Sequence, residues 1–230
     1  YINNEHKMFR DTLIRNPEEF SHAKSTFEKL TIMQHYGLPT RLLDVTKNPL
    51  VALFFACENM NNEHNPSEVI VFNPEEKDIK YYDSDTVCIL SNISKCERTL
   101  CYDIKENFNE SLEGQKLLHL IKEDKPHFTN NINQSDFNRV LIVKPINNNN
   151  RVKRQSGYFF IFGFDKEIRK PTELNCFLNI KDKKIKILID PSNFKSILNE
   201  LNSININKES LFPEIENGTT HIKQTYNQLK

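Results

Sequence analysis

The chain has 230 residues, of which 37% are hydrophobic, and its formal net charge at pH 7 is zero. This length supports a sizeable core, and we predict a single domain over residues 1–230. The balanced charge does not indicate a protein that binds nucleic acid or anionic membranes by charge alone. No apolar run reaches the roughly 18 residues of a membrane helix, and the first residues do not resemble a signal peptide, so we expect no membrane partner.

The cysteine pattern bears on the compartment and on metal binding. There are five cysteines, and no two of them have the C-x-x-C spacing. An odd number without paired spacing indicates neither a disulfide framework nor a zinc site. We therefore expect a cytoplasmic protein that holds no metal.

The first third of the chain predicts two helices. Asn4 is a candidate N-cap for a helix over residues 5–15, whose buried side is expected to carry Met8, Phe9, Leu13 and Ile14. Helical spacing of apolar residues predicts a second helix over residues 20–33.

The segment that follows combines a turn, a strand and an apolar helix. Gly37 and Pro39 are typical of a turn, because glycine allows positive φ and proline fixes φ. Residues 40–46 mostly alternate polar and apolar side chains, which predicts a short strand. Asn48 is a candidate N-cap for a helix over residues 49–57, which is apolar almost throughout and is expected to lie deep in the core.

Polar side chains in and before this strand favour a functional site. Arg41 and Asp44 stand among apolar residues, and a buried charge is costly unless it is paired. One interpretation is a structural network that locks the turn to the core. The other is one wall of a pocket, because several hydrogen-bonding side chains gather within a dozen residues. The remaining members of this group are Gln34, His35, Tyr36, Thr40 and Thr46.

The remaining elements complete an α+β pattern. Ser84 is a candidate helix cap, and the neighbouring Asp83 and Asp85 suit a cap and turn better than a metal site. We expect a mixed or antiparallel sheet flanked by helices. The further predicted strands cover residues 68–72, 139–144, 174–180 and 184–189, and the further predicted helices cover residues 113–124, 193–201 and 220–229.

A second polar segment lies late in the chain. Arg151 and Gln155 are suited to gripping a phosphate or carboxylate and a polar edge, and Gly157 allows a close approach of backbone or ligand. The alternative to a ligand site is that this segment forms a solvent-exposed rim, in which Gln155 caps the edge of a strand. We expect the two polar segments to meet at one concave surface.

Both segments resemble the FRG-domain family. The stretch QHYGLPTRLLDVTKNPLVALFFACE is similar to the family's common form QHYGLPTRLLDWT-NPLVALYFA, with Val45 where the family often has tryptophan. The pattern R-x-x-x-Q-x-G-x-F from Arg151 resembles the second family motif. Phe9-Arg10-Asp11 lacks the glycine of the F-R-G motif, so we expect that motif upstream of this chain.

The order of elements also resembles the layout of ADP-ribosyltransferases, which bind NAD. This resemblance implies catalytic roles for Asp44, Gln155 and His35. The residues expected to contact the ligand are Gln34, Tyr36, Thr40, Arg41, Thr46, Arg151 and Gly157. Glutamine replaces the glutamate that such enzymes often use, and it cannot act as a base. We expect an enzyme directed at NAD or another nucleotide, such as a bacterial defence or toxin effector. The alternatives are a non-catalytic ligand-sensing or protein-interaction domain and, with least support, a nuclease.

Overall fold

A computed structural model describes residues 1–58, 65–97, 100, 107–146, 150–164, 170–174 and 185–212. The chain divides into two compact units. The first comprises Tyr1–Leu43, Pro74–Lys144 and Phe159–Leu174, and the second comprises Asp44–Asn73, Pro145–Tyr158 and Asn175–Lys230. The expectation of a single domain over residues 1–230 stays a prediction.

Eight α-helices and six strands occur among the described residues. They are α1 (Glu5–Arg15), α2 (Thr26–His35), β1 (Leu42–Thr46), α3 (Pro49–Glu58), β2 (Ser67–Val71), β3 (Ile79–Tyr81), α4 (Asp85–Asn92), α5 (Leu112–Asp124), β4 (Val140–Lys144), α6 (Asn150–Arg154), β5 (Gly157–Phe162), β6 (Ile185–Ile189), α7 (Phe194–Ser203) and α8 (Lys208–Leu211). None of these helices has the length and apolar composition that crossing a membrane requires.

Strands β3 and β4 and most of β5 belong to the first unit and are part of a mixed sheet. Its strand order is β1-β5-β4-β3. Strand β4 pairs antiparallel with β5, with Val140 opposite Phe162, and parallel with β3, with Ile142 opposite Ile79. The boundaries between the two units fall within β1 and within β5. These pairings confirm an α+β protein with a mixed sheet.

The first two predicted helices differ in accuracy. Helix α1 has the predicted bounds, but Asn4 makes no side-chain cap and Ile14 is 76% exposed, so both of those predictions are wrong. The second helix does not begin at residue 20. It begins at Thr26, because the Ser25 side chain accepts a hydrogen bond from the Glu28 amide at 3.2 Å and so caps the helix there.

The strand predicted over residues 40–46 begins two residues later, at Leu42. The Thr40 hydroxyl accepts a hydrogen bond from the Leu42 amide at 3.2 Å, and such a local bond competes with the pairing of a strand. Thr40 and Arg41 therefore precede β1, so strand alternation does not set the directions of their side chains.

Helix α4 begins as its sequence predicts. The Ser84 side chain accepts a hydrogen bond from the Val87 amide at 3.4 Å, which confirms the cap. The Lys125 amine lies 2.6 Å from Asp85 Oδ1 and also donates to the carbonyl oxygen of Asp83. The two aspartates thus take part in a turn and an ion pair.

In the second unit, α3 is capped as predicted but is not buried on all sides. Asn48 Oδ1 accepts a hydrogen bond from the Leu50 amide at 3.0 Å. Leu50 and Phe55 are 39% and 38% exposed, so the prediction of a helix deep in the core holds for one side only. The buried residues of α3 are Val51, Phe54 and Cys57.

Helix α3 packs against α7 and against β2, which pairs antiparallel with β6. Two apolar clusters result. One contains Val51, Phe54, Leu201 and Leu211, and the other contains Cys57, Ile189 and Phe194. The strand predicted over residues 174–180 falls outside the described residues from residue 175 onward, and so does the helix predicted over residues 220–229.

A polar network ties together three helices of the first unit. The Asp124 carboxylate accepts hydrogen bonds from the Thr26 amide and from Asn92 Nδ2, both at 2.9 Å, and Thr26 Oγ1 donates to Asn92 Oδ1 at 3.2 Å. Thr26 and Asn92 are fully buried, so their donors depend on this carboxylate.

Replacing this carboxylate is expected to destabilise the first unit. Asp124→Ala leaves buried donors unsatisfied, and we expect a loss of about 1–3 kcal/mol in the free energy of unfolding. Chemical denaturation of the variant against wild type measures it. Lys122→Ala, an exposed change on the same helix, is the control and should have almost no effect. Equal stability of the two variants would contradict the role given to Asp124.

Candidate functional site

The residues predicted to form the site divide between the two units. Gln34, His35, Tyr36, Thr40 and Arg41 belong to the first unit, and Asp44, Thr46, Arg151, Gln155 and Gly157 belong to the second. A single cavity shared by the two groups stays a prediction.

In the first unit, the Gly-Pro turn is the C-terminal cap of α2. Gly37 has φ +81°, its amide donates to the Gln34 carbonyl at 2.9 Å, and the Leu38 amide donates to the Met33 carbonyl at 3.0 Å. These two bonds are those of a Schellman motif, which ends helices at a left-handed glycine. Thr40 Oγ1 then donates to Gln34 Oε1 at 2.9 Å. The Gln34 side chain thereby holds the turn against the helix end.

His35 and Tyr36 lie on the exposed end of α2. Their rings meet edge to face, with centroids 5.1 Å apart. Tyr36 is 64% exposed, and its hydroxyl donates to Glu19 Oε2 at 2.8 Å. That hydrogen bond is the main cause that raises the pKa of Tyr36, followed by partial burial and by repulsion from the Glu19 charge.

Arg41 is buried and paired with a residue that the sequence analysis did not select. Arg41 Nε donates to Glu5 Oε1 at 2.9 Å, Nη2 donates to Glu5 Oε2, and Nη1 donates to the Phe162 carbonyl at 3.0 Å. The exposed fractions of the two side chains are 6% for Arg41 and 11% for Glu5. This is the two-point guanidinium–carboxylate geometry, which is the strongest form of a protein ion pair.

A cavity of about 490 Å³ adjoins this ion pair. It includes two of the predicted ligand-binding residues, Thr40 and Arg41, but neither His35 nor Tyr36 is among its lining residues. The described residues that line it are Tyr1, Glu5, Pro39, Thr40, Arg41, Leu42, Leu43, Phe162, Gly163, Phe164 and Pro171.

Gly163 forms a part of this cavity where two stretches of backbone nearly touch. Its amide donates to the Arg139 carbonyl at 2.8 Å. A Cβ atom at this position would lie 1.9 Å from the carbonyl oxygen of Phe137, so no other residue fits without a shift of the backbone. Glycine at 163 is therefore a packing requirement of the cavity wall.

In the second unit, two hydrogen bonds join the early and the late polar segments. Thr46 Oγ1 donates to the main-chain oxygen of Gln155 at 2.7 Å, across 109 positions of sequence, and accepts from the Asn48 amide at 3.0 Å. The Lys47 amide donates to the Ser156 carbonyl at 3.3 Å. Asp44 is exposed.

The side chains of the late motif bind the chain's own C-terminal part. Gln155 Nε2 donates to the Leu211 carbonyl at 3.1 Å, and the Arg151 guanidinium lies 4.6 Å from the centre of the Phe212 ring. Leu211 is buried among the apolar residues of α3 and α7. Both side chains therefore hold the end of α8 against the core of the second unit.

Gly157 is the first residue of β5 and directly follows the turn at Gln155 and Ser156. Ser156 before it has φ +50°, and a Cβ atom at Gly157 would lie 3.3 Å from the Val152 carbonyl oxygen. The glycine therefore serves the close approach of two backbone segments, which is one of the two functions its position predicts.

The cysteine thiols of the described residues are unsuited to nucleophilic catalysis. Burial raises the pKa of Cys88 and of Cys96 to about 12, and burial also raises the pKa of Cys57. A thiol acts as a nucleophile only as its thiolate, which is scarce at neutral pH under these conditions. Within the part of the chain that the structure describes, no group of three or more His, Cys, Asp and Glu residues is placed to hold a metal ion.

Comparison with known proteins identifies one family. The sequence model of the FRG domain matches residues 2–65, which confirms the resemblance on α1, α2, β1 and α3. No curated protein and no solved structure matches the chain.

Removing the Glu5 charge is expected to destabilise the first unit. Glu5→Gln leaves Arg41 buried without its counter-charge, and we expect a loss of about 3–5 kcal/mol in the free energy of unfolding, measured by chemical denaturation. The double variant Glu5→Leu/Arg41→Met replaces the pair by apolar side chains and should recover most of this loss. A double variant less stable than Glu5→Gln would contradict this.

A second prediction concerns the late motif. Gln155→Ala removes the donor to the Leu211 carbonyl and should cost about 1 kcal/mol of stability. It should also speed hydrogen exchange at the amides of Leu211 and Phe212. Lys153→Ala, an exposed change two residues earlier in the same motif, is the control. Unchanged exchange in the Gln155 variant would mean that this side chain does not hold the C-terminal part.

Proposed function

We propose that this chain, whose residues 2–65 belong to the FRG-domain family, acts on NAD or a related nucleotide, by ADP-ribosyl transfer or by hydrolysis of NAD. The observation that carries the proposal is the cavity of about 490 Å³, which brings Thr40 and Arg41 of the matched region together at one concave surface. This volume falls within the range of small-molecule sites.

The composition of the cavity suits a planar ring. Tyr1 and Phe162 are aromatic residues of the lining, and aromatic side chains stack on nucleobases and similar heterocycles. Phe164 also lines the cavity, but it is only 1% exposed. Pro39 and Leu43 add apolar surface. The polar groups are few and come from the Glu5–Arg41 pair and the neighbouring threonine. A cavity that is mostly apolar with a few placed polar groups is typical of a small-ligand site.

The proposed hydrolysis of NAD is balanced in atoms, electrons and protons. The oxygen of water bonds to C1′ of the nicotinamide ribose, the bond from C1′ to the ring nitrogen breaks, and neutral nicotinamide leaves with the electron pair of that bond. The water gives up one proton, which needs a basic group. Of the residues proposed as catalytic, His35 and Asp44 can accept a proton and Gln155 cannot. Neither His35 nor Asp44 is among the described residues that line the cavity. ADP-ribosyl transfer differs only in that a group of a target molecule replaces water.

A second candidate function is ligand sensing or protein interaction without turnover. One observation favours it. The Gln155 amide and the Thr46 hydroxyl, which the transferase resemblance assigns to the ligand site, both make hydrogen bonds inside the second unit. If these groups serve the fold while the cavity binds a nucleotide, the chain would bind the nucleotide without catalysing a reaction.

Binding and release experiments distinguish the two candidates. We expect saturable binding of NAD by calorimetry and release of nicotinamide by chromatography. Leu43→Trp fills the cavity and should weaken binding by about tenfold or more. Leu112→Trp is the control, because Leu112 is 65% exposed and does not line the cavity.

The possible results have different meanings. Absence of saturable NAD binding would reject the proposal. Binding without nicotinamide release would support the sensing function. If NAD is consumed, Asp44→Asn should slow nicotinamide release and leave the affinity for NAD nearly unchanged. Equal affinity of the Leu43→Trp variant and the wild-type protein for NAD would mean that NAD does not bind in this cavity.

A further inference from the structure

We infer that the cavity beside Glu5 and Arg41 accepts an uncharged planar ring bearing an amide and rejects the corresponding carboxylate, and that Glu5 sets this preference. The inference rests on the proposed function, because NAD supplies such a ring as its nicotinamide group. It adds a property that the two sequence motifs of the resemblance do not carry, since Glu5 lies outside both of them, although within the matched residues 2–65.

The charge balance of the cavity is the first step. Glu5 and Arg41 are the acidic and basic side chains among its described lining residues, and the two-point pairing cancels their charges locally. Arg41 therefore does not act as an unpaired cation towards a ligand. A carboxylate or phosphate that entered would lose its hydration and gain no net opposite charge. An uncharged ligand group does not incur this cost.

The hydrogen-bonding capacity of the pair is the second step. A guanidinium carries five N–H donors, and the three hydrogen bonds to Glu5 and Phe162 use one donor each. The carboxylate of Glu5 has further lone pairs beyond those that accept from Arg41. The pair therefore has both donor and acceptor capacity left, and both of its residues line the cavity. A primary amide presents the complementary set, with a carbonyl acceptor and an N–H₂ donor, whereas a carboxylate presents acceptors only.

The role of Glu5 follows from these two steps. When Glu5 loses its charge, Arg41 becomes a buried cation that lacks its counter-ion. A ligand carboxylate can then take the place of the Glu5 carboxylate and form the same two-point contact. The preference between amide and carboxylate should therefore invert in Glu5→Gln.

The test uses two pairs of ligands that differ only in this group: nicotinamide with nicotinate, and NAD with its deamidated analogue. Calorimetry gives the ratio of dissociation constants for each pair. In the wild-type protein we expect the amide to bind about tenfold more tightly than the carboxylate. In Glu5→Gln the carboxylate should bind more tightly. Glu18→Gln removes an exposed carboxylate from the same unit, and it should keep the wild-type order.

A double variant keeps the test decisive where Glu5→Gln fails to fold. Glu5→Leu/Arg41→Met leaves the cavity neutral and should still prefer the amide, although with lower affinity because the hydrogen-bonding pair is gone. A carboxylate preference in the double variant or in the wild-type protein would overturn the inference. So would a folded Glu5→Gln protein with an unchanged ratio.

The inference and the proposed function fail in different ways. If wild-type protein binds NAD and its deamidated analogue equally, the selectivity inference is wrong and the nucleotide-directed function stands. If wild-type protein binds none of the four ligands, both are rejected.

Discussion

The buried ion pair between Glu5 and Arg41 is the interaction on which the site of the first unit depends. It joins the first turn of α1 to the residue just before β1, and its third hydrogen bond reaches the end of β5 at the Phe162 carbonyl. A buried pair is a weak source of stability compared with apolar packing of the same volume, yet losing one partner is costly. Its presence beside a cavity therefore fits a role in selecting the ligand better than a role in stability alone.

Local signals made much of the fold predictable. Helix α1 has its predicted bounds, and β2, β4 and α5 begin and end within one residue of theirs, because caps, prolines and apolar periodicity are short-range features. The start of α2 also has a local signal, because Ser25 caps the helix by accepting a hydrogen bond from the Glu28 amide. The prediction of residue 20 followed the apolar spacing instead of this cap. Asp124, which lies 98 positions away, also binds the first amide of the helix.

Two residues of the cavity wall were predictable from the sequence, whereas the partners of the predicted side chains were not. Thr40 and Arg41 do line a cavity, but Glu5 was missed because an acidic residue in the first turn of a helix is ordinary. Gln155 stood out by its motif, whereas its hydrogen bond to the Leu211 carbonyl depends on how the C-terminal part packs. The residue type shows which groups a side chain can bind. Only the tertiary structure shows which of these groups it binds in the folded chain.

The glycine at 163 has a consequence for how the pocket can evolve. Because its backbone already fills the space against Phe137, this stretch of wall is fixed by main-chain geometry and offers no side chain for adaptation. Changes in ligand choice must then arise on the surfaces contributed by side chains, such as Pro39, Leu43 and Pro171. A protein that evolves to bind a new ligand would keep the rigid main-chain part of the wall and change the part formed by side chains. A mutant library designed for new binding should likewise leave position 163 unchanged.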